Sequence, residues 1–319
     1  MKKIIISGLL LLGLYQGNLA YAGSRVALVI GNSQYSSLKR LSNPKNDAQA
    51  VGDALRDVGF RLTTDKVLYN LNEVQFLNAI KQFSRDAQGA KMALVYYAGH
   101  GVQIGKDSYL LPVDTPKNID LLSRRAIALD SIFSQLKGKA ELSIAIFDAC
   151  REIPQLEEEA VRAGFGSNIR AFGRTRIIGN NQIIAFATAA GQYAKDGDGQ
   201  HSPYTKTLLQ YLKTSTMDVR DLFDQVAYDV SLESGQVPDV LAQAVRPNTY
   251  YFRKARLERG KVKLTVKTSP ENAQIRILNI VSKYQDEMEL KPGRYHIEVH
   301  QKNYQRHTEW VSLKGEDKV

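Results

Sequence analysis

Cys150 is the only cysteine in the chain, and it stands where an apolar run, LSIAIF (142–147), gives way to charged residues. Asp148 precedes it by two positions and Arg151 follows it. A lone thiol is often a small buried hydrophobe. One that ends a strand among charges is also placed to act as a nucleophile. Fifty residues upstream, His100 sits between Gly99 and Gly101, after VYYA (95–98). Glycine on both sides lets the loop take positive φ and lets a substrate backbone come close. A thiol and an imidazole at that separation meet if one or two strand–helix crossovers bring their strands side by side, which gives a nucleophile–base pair.

The elements around these residues supply that geometry. RVALVIG (25–31), Lys91–Tyr97, Leu142–Phe147 and Gln182–Ala187 are compact apolar strands of the kind buried on both faces of a parallel sheet. Shorter strands are expected at Phe60–Leu62 and Lys66–Tyr69, and a hairpin at Gln103–Ile104 and Ser108–Leu111 around Gly105, Lys106 and Asp107. Amphipathic periodicity places helices at Asn46–Val58, Glu73–Ala87, Ile127–Leu136, Pro203–Leu212 and Met217–Leu232, with a last strand through Tyr250–Phe252. Repeated strand–helix–strand units give an α/β fold with a mostly parallel sheet and helices on both faces. The loop after the first strand, GNSQY (31–35), is neither a dinucleotide fingerprint nor a phosphate loop. Chemistry is therefore expected beyond the carboxyl ends of the strands, where His100 and Cys150 stand.

Six segments, in order, resemble one family: RVALVIGNSQY (25–35), LSNPKNDAQAVGDALRDVGF (41–60), YYAGHG (96–101), SYLLPVD (108–114), IAIFDACR (144–151) and FATAAGQYAKDGDGQHSPYTKTLLQYL (186–212). They are similar to the caspase-like cysteine peptidases (peptidase C14 type), in particular the bacterial branch near metacaspases and orthocaspases. The family's spacing of about fifty residues from histidine to cysteine is matched. The resemblance covers roughly 25–255. It implies a caspase-hemoglobinase α/β/α sandwich with a six-stranded sheet, Cys150 as nucleophile and His100 as base. The vertebrate QACRG motif reads DACRE here, with Asp148 for the glutamine and Glu152 for the glycine, which argues against cleavage after aspartate.

The implied reaction is peptide hydrolysis through a thioester on Cys150, with His100 handling the proton and no cofactor. The backbone N–H groups of Gly101 and Cys150 are the expected oxyanion donors. A backbone carbonyl suffices to orient the imidazole, so the site is expected to be a dyad, with Asp148 better suited to a pocket wall. Asp148, Asp196 and Asp198 make an acidic surround that suits a substrate arginine or lysine. The plainer reading of Asp196 and Asp198 is a pair of loop carboxylates, or a weak calcium site. The polar stretch from Glu152 to Asn181 is long for a connection between core strands and holds Arg162, Arg170, Arg174 and Arg176, candidates for self-cleavage. The competing functional reading is a catalytically silent scaffold or binding protein of the cell envelope.

Around this core, the composition sets limits. The chain has 319 residues, 43% hydrophobic and 24% charged, which fits one or two globular domains and excludes wholesale disorder. A single cysteine excludes an internal disulfide framework or a cysteine-rich metal site. The net charge is +10, but the basic clusters are not interleaved with stacking aromatics, so nucleic acid is not an expected partner. Lys2 and Lys3, the apolar run Ile4–Tyr15 and the Ala20–Tyr21–Ala22 end read as a signal peptide over 1–22, which predicts a periplasmic or secreted protein without a membrane span once the leader is removed. The catalytic domain is expected over 23–255. Residues 256–319 read as a linker and a small all-β domain resembling the PEGA type, with an envelope component as its expected partner. His296 and His300 share a strand face there, about 13 Å apart by strand rise, which suits surface histidines rather than a metal site.

Overall fold

The computed structural model describes residues 24–104, 107–149, 156, 169–170, 181–189, 199–243, 249–253, 262–269, 273–280, 282–302 and 304–313. Cys150, Asp196, Asp198, Arg162, Arg174, Arg176 and the signal peptide expected over 1–22 lie outside these residues.

In chain order the first half runs β1 (Arg25–Gly31), α1 (Pro44–Asp57), β2 (Arg61–Leu62), β3 (Leu68–Tyr69), α2 (Glu73–Asp86), β4 (Ala90–Ala98), β5 (Gly101–Ile104) and β6 (Asp107–Leu110). It continues through α3 (Ile119–Arg125), β7 (Ile127–Ala128), α4 (Leu129–Leu136), β8 (Ala140–Asp148), β9 (Ile169–Arg170) and β10 (Gln182–Phe186). Helices α5 (Pro203–Thr214) and α6 (Val219–Ser234) lead to β11 (Asp239–Gln243). The C-terminal part is β12 (Val262–Leu264), β13 (Gln274–Ile277), β14 (Met288–Leu290), β15 (Gly293–His300) and β16 (His307–Leu313).

The central sheet has the order β11-β10-β8-β4-β1-β2, with β3 continuing the β2 lane along β1. Among the described residues it has seven strands, which fill the expected six lanes. Every pairing in it is parallel except β10 with β11. Val26–Ile30, Ala93–Ala98 and Leu142–Asp148 are buried without a break, apart from the modest 8% exposure of Ser143, as expected where helices cover both faces. Phe76, Ile80 and Phe83 of α2 bury their side chains in the same core.

Two expectations need correction, and one helix was not expected. Tyr250–Phe252 forms no strand; Tyr250 and Phe252 are buried in the core, and the carbonyl of Tyr250 accepts the Val219 amide at 2.8 Å. The edge lane is instead β11, whose antiparallel register pairs Phe186 with Asp239. The helix expected over Ile127–Leu136 is shorter: Ile127 and Ala128 form β7 against β6, and α4 begins at Leu129. A further helix, α3, precedes it, with Asn118 Oδ1 accepting the Leu121 amide at its N-terminus.

The hairpin β5–β6 forms as expected and belongs to a separate four-stranded sheet, β7-β6-β5-β9. Arg170, one of the four self-cleavage candidates, lies in β9 with its backbone paired to Gln103. A backbone tied into a ladder is a poor fit to cleavage at that residue. The C-terminal strands form a two-stranded sheet, β12-β14, and a three-stranded sheet, β13-β15-β16, around Leu264, Ile277, Tyr295 and Ile297. No helix among the described residues is long and apolar enough to cross a membrane.

Candidate active site

β4 and β8 are parallel neighbours over their whole length, and their register ends with Ala98 opposite Asp148. The Gly99 amide, one residue further, donates to the Asp148 carbonyl at 3.3 Å. The chain thus leaves both strands at the same sheet edge, with His100 two residues beyond Ala98 and Cys150 two residues beyond Asp148 in sequence. This is the edge where an open α/β sheet collects its functional groups.

His100 is fully buried. Its Nε2 lies 2.7 Å from the backbone carbonyl oxygen of Lys39, in the loop after β1. A carbonyl has no proton to give, so Nε2 carries the hydrogen and donates it. That fixes the tautomer: in the neutral ring Nδ1 holds the lone pair, and Nδ1 is the atom able to accept a proton. A backbone carbonyl therefore orients the imidazole, as expected. Asp148 does not: its Oδ2 accepts from Ser202 Oγ and from Thr205 Oγ1 (2.8 Å), both at the start of α5.

The loop that carries Lys39 is held firmly. Asn70 Oδ1 accepts the amides of Ser33 and Gln34, each at 2.9 Å. Asn32 accepts the Leu71 amide (2.9 Å) and donates to the Leu111 carbonyl (3.1 Å). Tyr35, Leu38 and Leu41 of this loop pack with Val102, Leu111, Leu122 and Leu156 in a small apolar cluster of their own.

Gly99 has φ +158, and a Cβ there would lie 2.5 Å from Tyr97 Oη and 2.7 Å from Tyr35 Oη. The close approach that requires this glycine is thus made by two tyrosine hydroxyls of the protein, not by a substrate backbone as the sequence suggested. Gly101 behaves differently. The Leu111 amide donates to the His100 carbonyl (3.0 Å), so Gly101 and Leu110 face each other as a non-hydrogen-bonded pair and the Gly101 N–H points away from β6. That orientation keeps it compatible with an oxyanion role.

The acidic surround takes a form the sequence did not predict. Asp148 is fully buried, and its Oδ1 accepts no hydrogen bond from the described residues. Beside it stands a second fully buried carboxylate, Asp47 of α1. Asp47 Oδ1 meets His201 Nδ1 at 2.9 Å, and both Asp47 oxygens face the Ser202 amide at 3.3 and 3.4 Å. Ser202 joins the two acids, its amide turned to Asp47 and its hydroxyl donated to Asp148. Burial and the charge of Lys213 hold the His201 pKa below its ordinary value, so at neutral pH the ring is uncharged and donates to Asp47 through Nδ1–H. Tyr204, buried close by, has its phenol pKa raised by burial and then by Asp148, and stays protonated. The signal for Asp47 was present in the helix pattern. It lies four residues before Val51 and so falls on the buried stripe of α1, where a carboxylate is out of place unless it has a task.

In the C-terminal strands His296 stacks on Trp310, its cross-strand partner, with ring centroids 4.6 Å apart.

The fold and this edge define an α/β protein in which a buried histidine follows β4 beside the end of β8. A caspase-domain family model matches residues 24–250, and the chain belongs to that family, one of cysteine peptidases. It is 27% identical over 214 residues to the human mucosa-associated lymphoid tissue lymphoma translocation protein 1 and, equally, to its homologue from Mus musculus. Those matches span 66% of this chain but only 24% of the relatives' length. Among solved structures it is similar in fold to caspase-1 of Spodoptera frugiperda, with TM-score 0.52 and 20% identity over 75% of this chain and 94% of that one.

Proposed function

We propose that the protein is a cysteine endopeptidase that cleaves after arginine or lysine, with Cys150 as nucleophile and His100 as base. The observation that carries the catalytic part is the 2.7 Å contact from His100 Nε2 to the Lys39 carbonyl, which leaves Nδ1 as the proton acceptor at the edge shared by β4 and β8. Nδ1 takes the thiol proton, Sγ attacks the scissile carbonyl, and the imidazolium then protonates the leaving amine. Water hydrolyses the thioester with His100 again as base. Gly101 N–H, with that of Cys150, is the candidate oxyanion donor.

The preference for a cationic P1 side chain rests on Asp47 and Asp148. Two carboxylates buried within reach of one serine are costly unless a cation compensates them. A guanidinium or ammonium brings that charge and a donor for the buried Oδ1 of Asp148, which accepts no hydrogen bond from the described residues. Asp148 keeps its expected role in this reading, Asp47 joins it, and Asp196 and Asp198 remain part of the proposed acidic surround. Cutting at Arg162, Arg174 or Arg176 would follow from the same preference. The signal-peptide pattern of residues 1–22 favours action outside the cytoplasm, and the C-terminal β part is proposed to attach to an envelope component. A fluorogenic scan of P1 residues on wild type and C150A tests the reading. Turnover of Arg and Lys substrates by wild type alone is expected; turnover of Asp or small apolar P1 substrates instead contradicts the specificity.

A further inference from the structure

We infer that Tyr35 is a positioning residue for His100, acting through its hydroxyl on the histidine backbone and through its ring on the imidazole. The inference rests on the reading of His100 as base and adds what holds that base in place.

Tyr35 is 2% exposed and lies on the same loop as Lys39. Its Oη accepts the His100 amide hydrogen at 2.8 Å. It also lies 3.1 Å from Tyr97 Oη, which in turn donates to the His100 carbonyl at 2.8 Å. The His100 amide hydrogen goes to Tyr35, the Tyr97 hydroxyl reaches the His100 carbonyl, and the two hydroxyls meet each other and the Leu111 carbonyl (3.3 Å from Tyr35, 3.0 Å from Tyr97). Both backbone polar groups of one residue are thus tied to side chains. Burial holds the Tyr97 pKa well above its ordinary value, so its hydroxyl keeps the proton it donates. At the same time the Tyr35 ring packs on the imidazole, centroids 4.4 Å apart and planes at 53°.

His100 is therefore gripped by one loop at three places. Tyr35 Oη holds its amide, the Tyr35 ring holds its face, and the Lys39 carbonyl holds Nε2. Gly99 is the vacancy in the side-chain pattern that lets both hydroxyls approach. A histidine in a glycine-flanked turn would otherwise have freedom to swing, and proton transfer falls steeply with misplacement.

The test uses full-length protein and Tyr35→Phe, which keeps the ring and removes the acceptor of a buried N–H. Expected is a loss in kcat of about tenfold to a hundredfold with KM nearly unchanged. The acid limb of the pH profile for Cys150 alkylation by iodoacetamide should also move to higher pH, because a loosened imidazole stabilises the thiolate less. A purely structural role would lower the melting temperature and leave kcat and that profile where they were; this result overturns the inference. Should Tyr35→Phe not fold, hydrogen exchange at the wild-type His100 amide decides. Strong protection supports the contact, and exchange at the rate of an open loop contradicts it. Failure of the peptidase reading is distinguishable, since wild type itself would then show neither turnover nor a reactive thiol.

Discussion

Ser202 and Asp148, 54 residues apart in sequence, join the start of α5 to the end of β8 through a hydrogen bond from the serine hydroxyl to the carboxylate. The same serine caps the helix, its Oγ accepting the Thr205 amide at 3.0 Å. One hydroxyl therefore stabilises the helix end and satisfies a buried charge. Ser202→Ala should cost about 1–2 kcal/mol for the cap and more for the carboxylate left short of a donor. A thermal melt should show a drop of several degrees; an unchanged melt would mean that the contact contributes nothing.

Asp148→Asn keeps an acceptor for Ser202 and Thr205 but removes the charge. The fold should survive. kcat/KM for an Arg substrate should fall about a hundredfold or more, as when one partner of a buried charge pair is lost, while any residual turnover of uncharged substrates is spared. Asp47→Asn should do the same. Equal losses for charged and uncharged substrates would assign these acids to stability rather than to specificity.

Gly99→Ala places a Cβ against Tyr97 Oη and Tyr35 Oη, at a φ of +158. Both the clash and the backbone conformation oppose the change, and a loss of about 2 kcal/mol or more is expected, with loss of turnover. Urea unfolding measures it. Wild-type stability and activity in this variant would contradict the described packing around His100.

The pH dependence of stability carries a signature of His201. Its folded-state pKa lies below the ordinary value of 6.5, through burial and Lys213. The unfolded chain therefore takes up the proton first. Stability from this residue is complete above pH 6.5 and is lost as pH falls below it. Wild type should lose more stability than His201→Gln between pH 7.5 and 5.5 in matched urea titrations. Parallel losses would show that His201 is not the group responsible.

What the sequence disclosed depended on how each residue acts. The neighbouring of β4 and β8 was legible because both are unbroken apolar runs that stop at reactive types. The lane β11 was not: Asp239–Gln243 is short, mixed in polarity and antiparallel, so it lacks the signature of a doubly buried strand. The same holds for α3, seven residues with little amphipathic pattern. His100 could be picked out by type and setting, but its orienting partner could not, because a backbone carbonyl leaves no mark on the side chain at Lys39. Asp47 was overlooked since an acid in the first turn of a helix is ordinarily a partner of the helix dipole.

Labelling at the nucleophile reads the Cys150–His100 pairing itself. The wild-type protein, His100→Ala and Cys150→Ala should each be treated with a peptide electrophile bearing arginine at P1, and the adduct located by mass spectrometry. Expected is one adduct on wild type, at Cys150, formed rapidly near neutral pH, with the rate falling by about a hundredfold or more in His100→Ala and no adduct in Cys150→Ala. Absence of labelling on folded wild type, or equal labelling of wild type and His100→Ala, would contradict a Cys150–His100 pair.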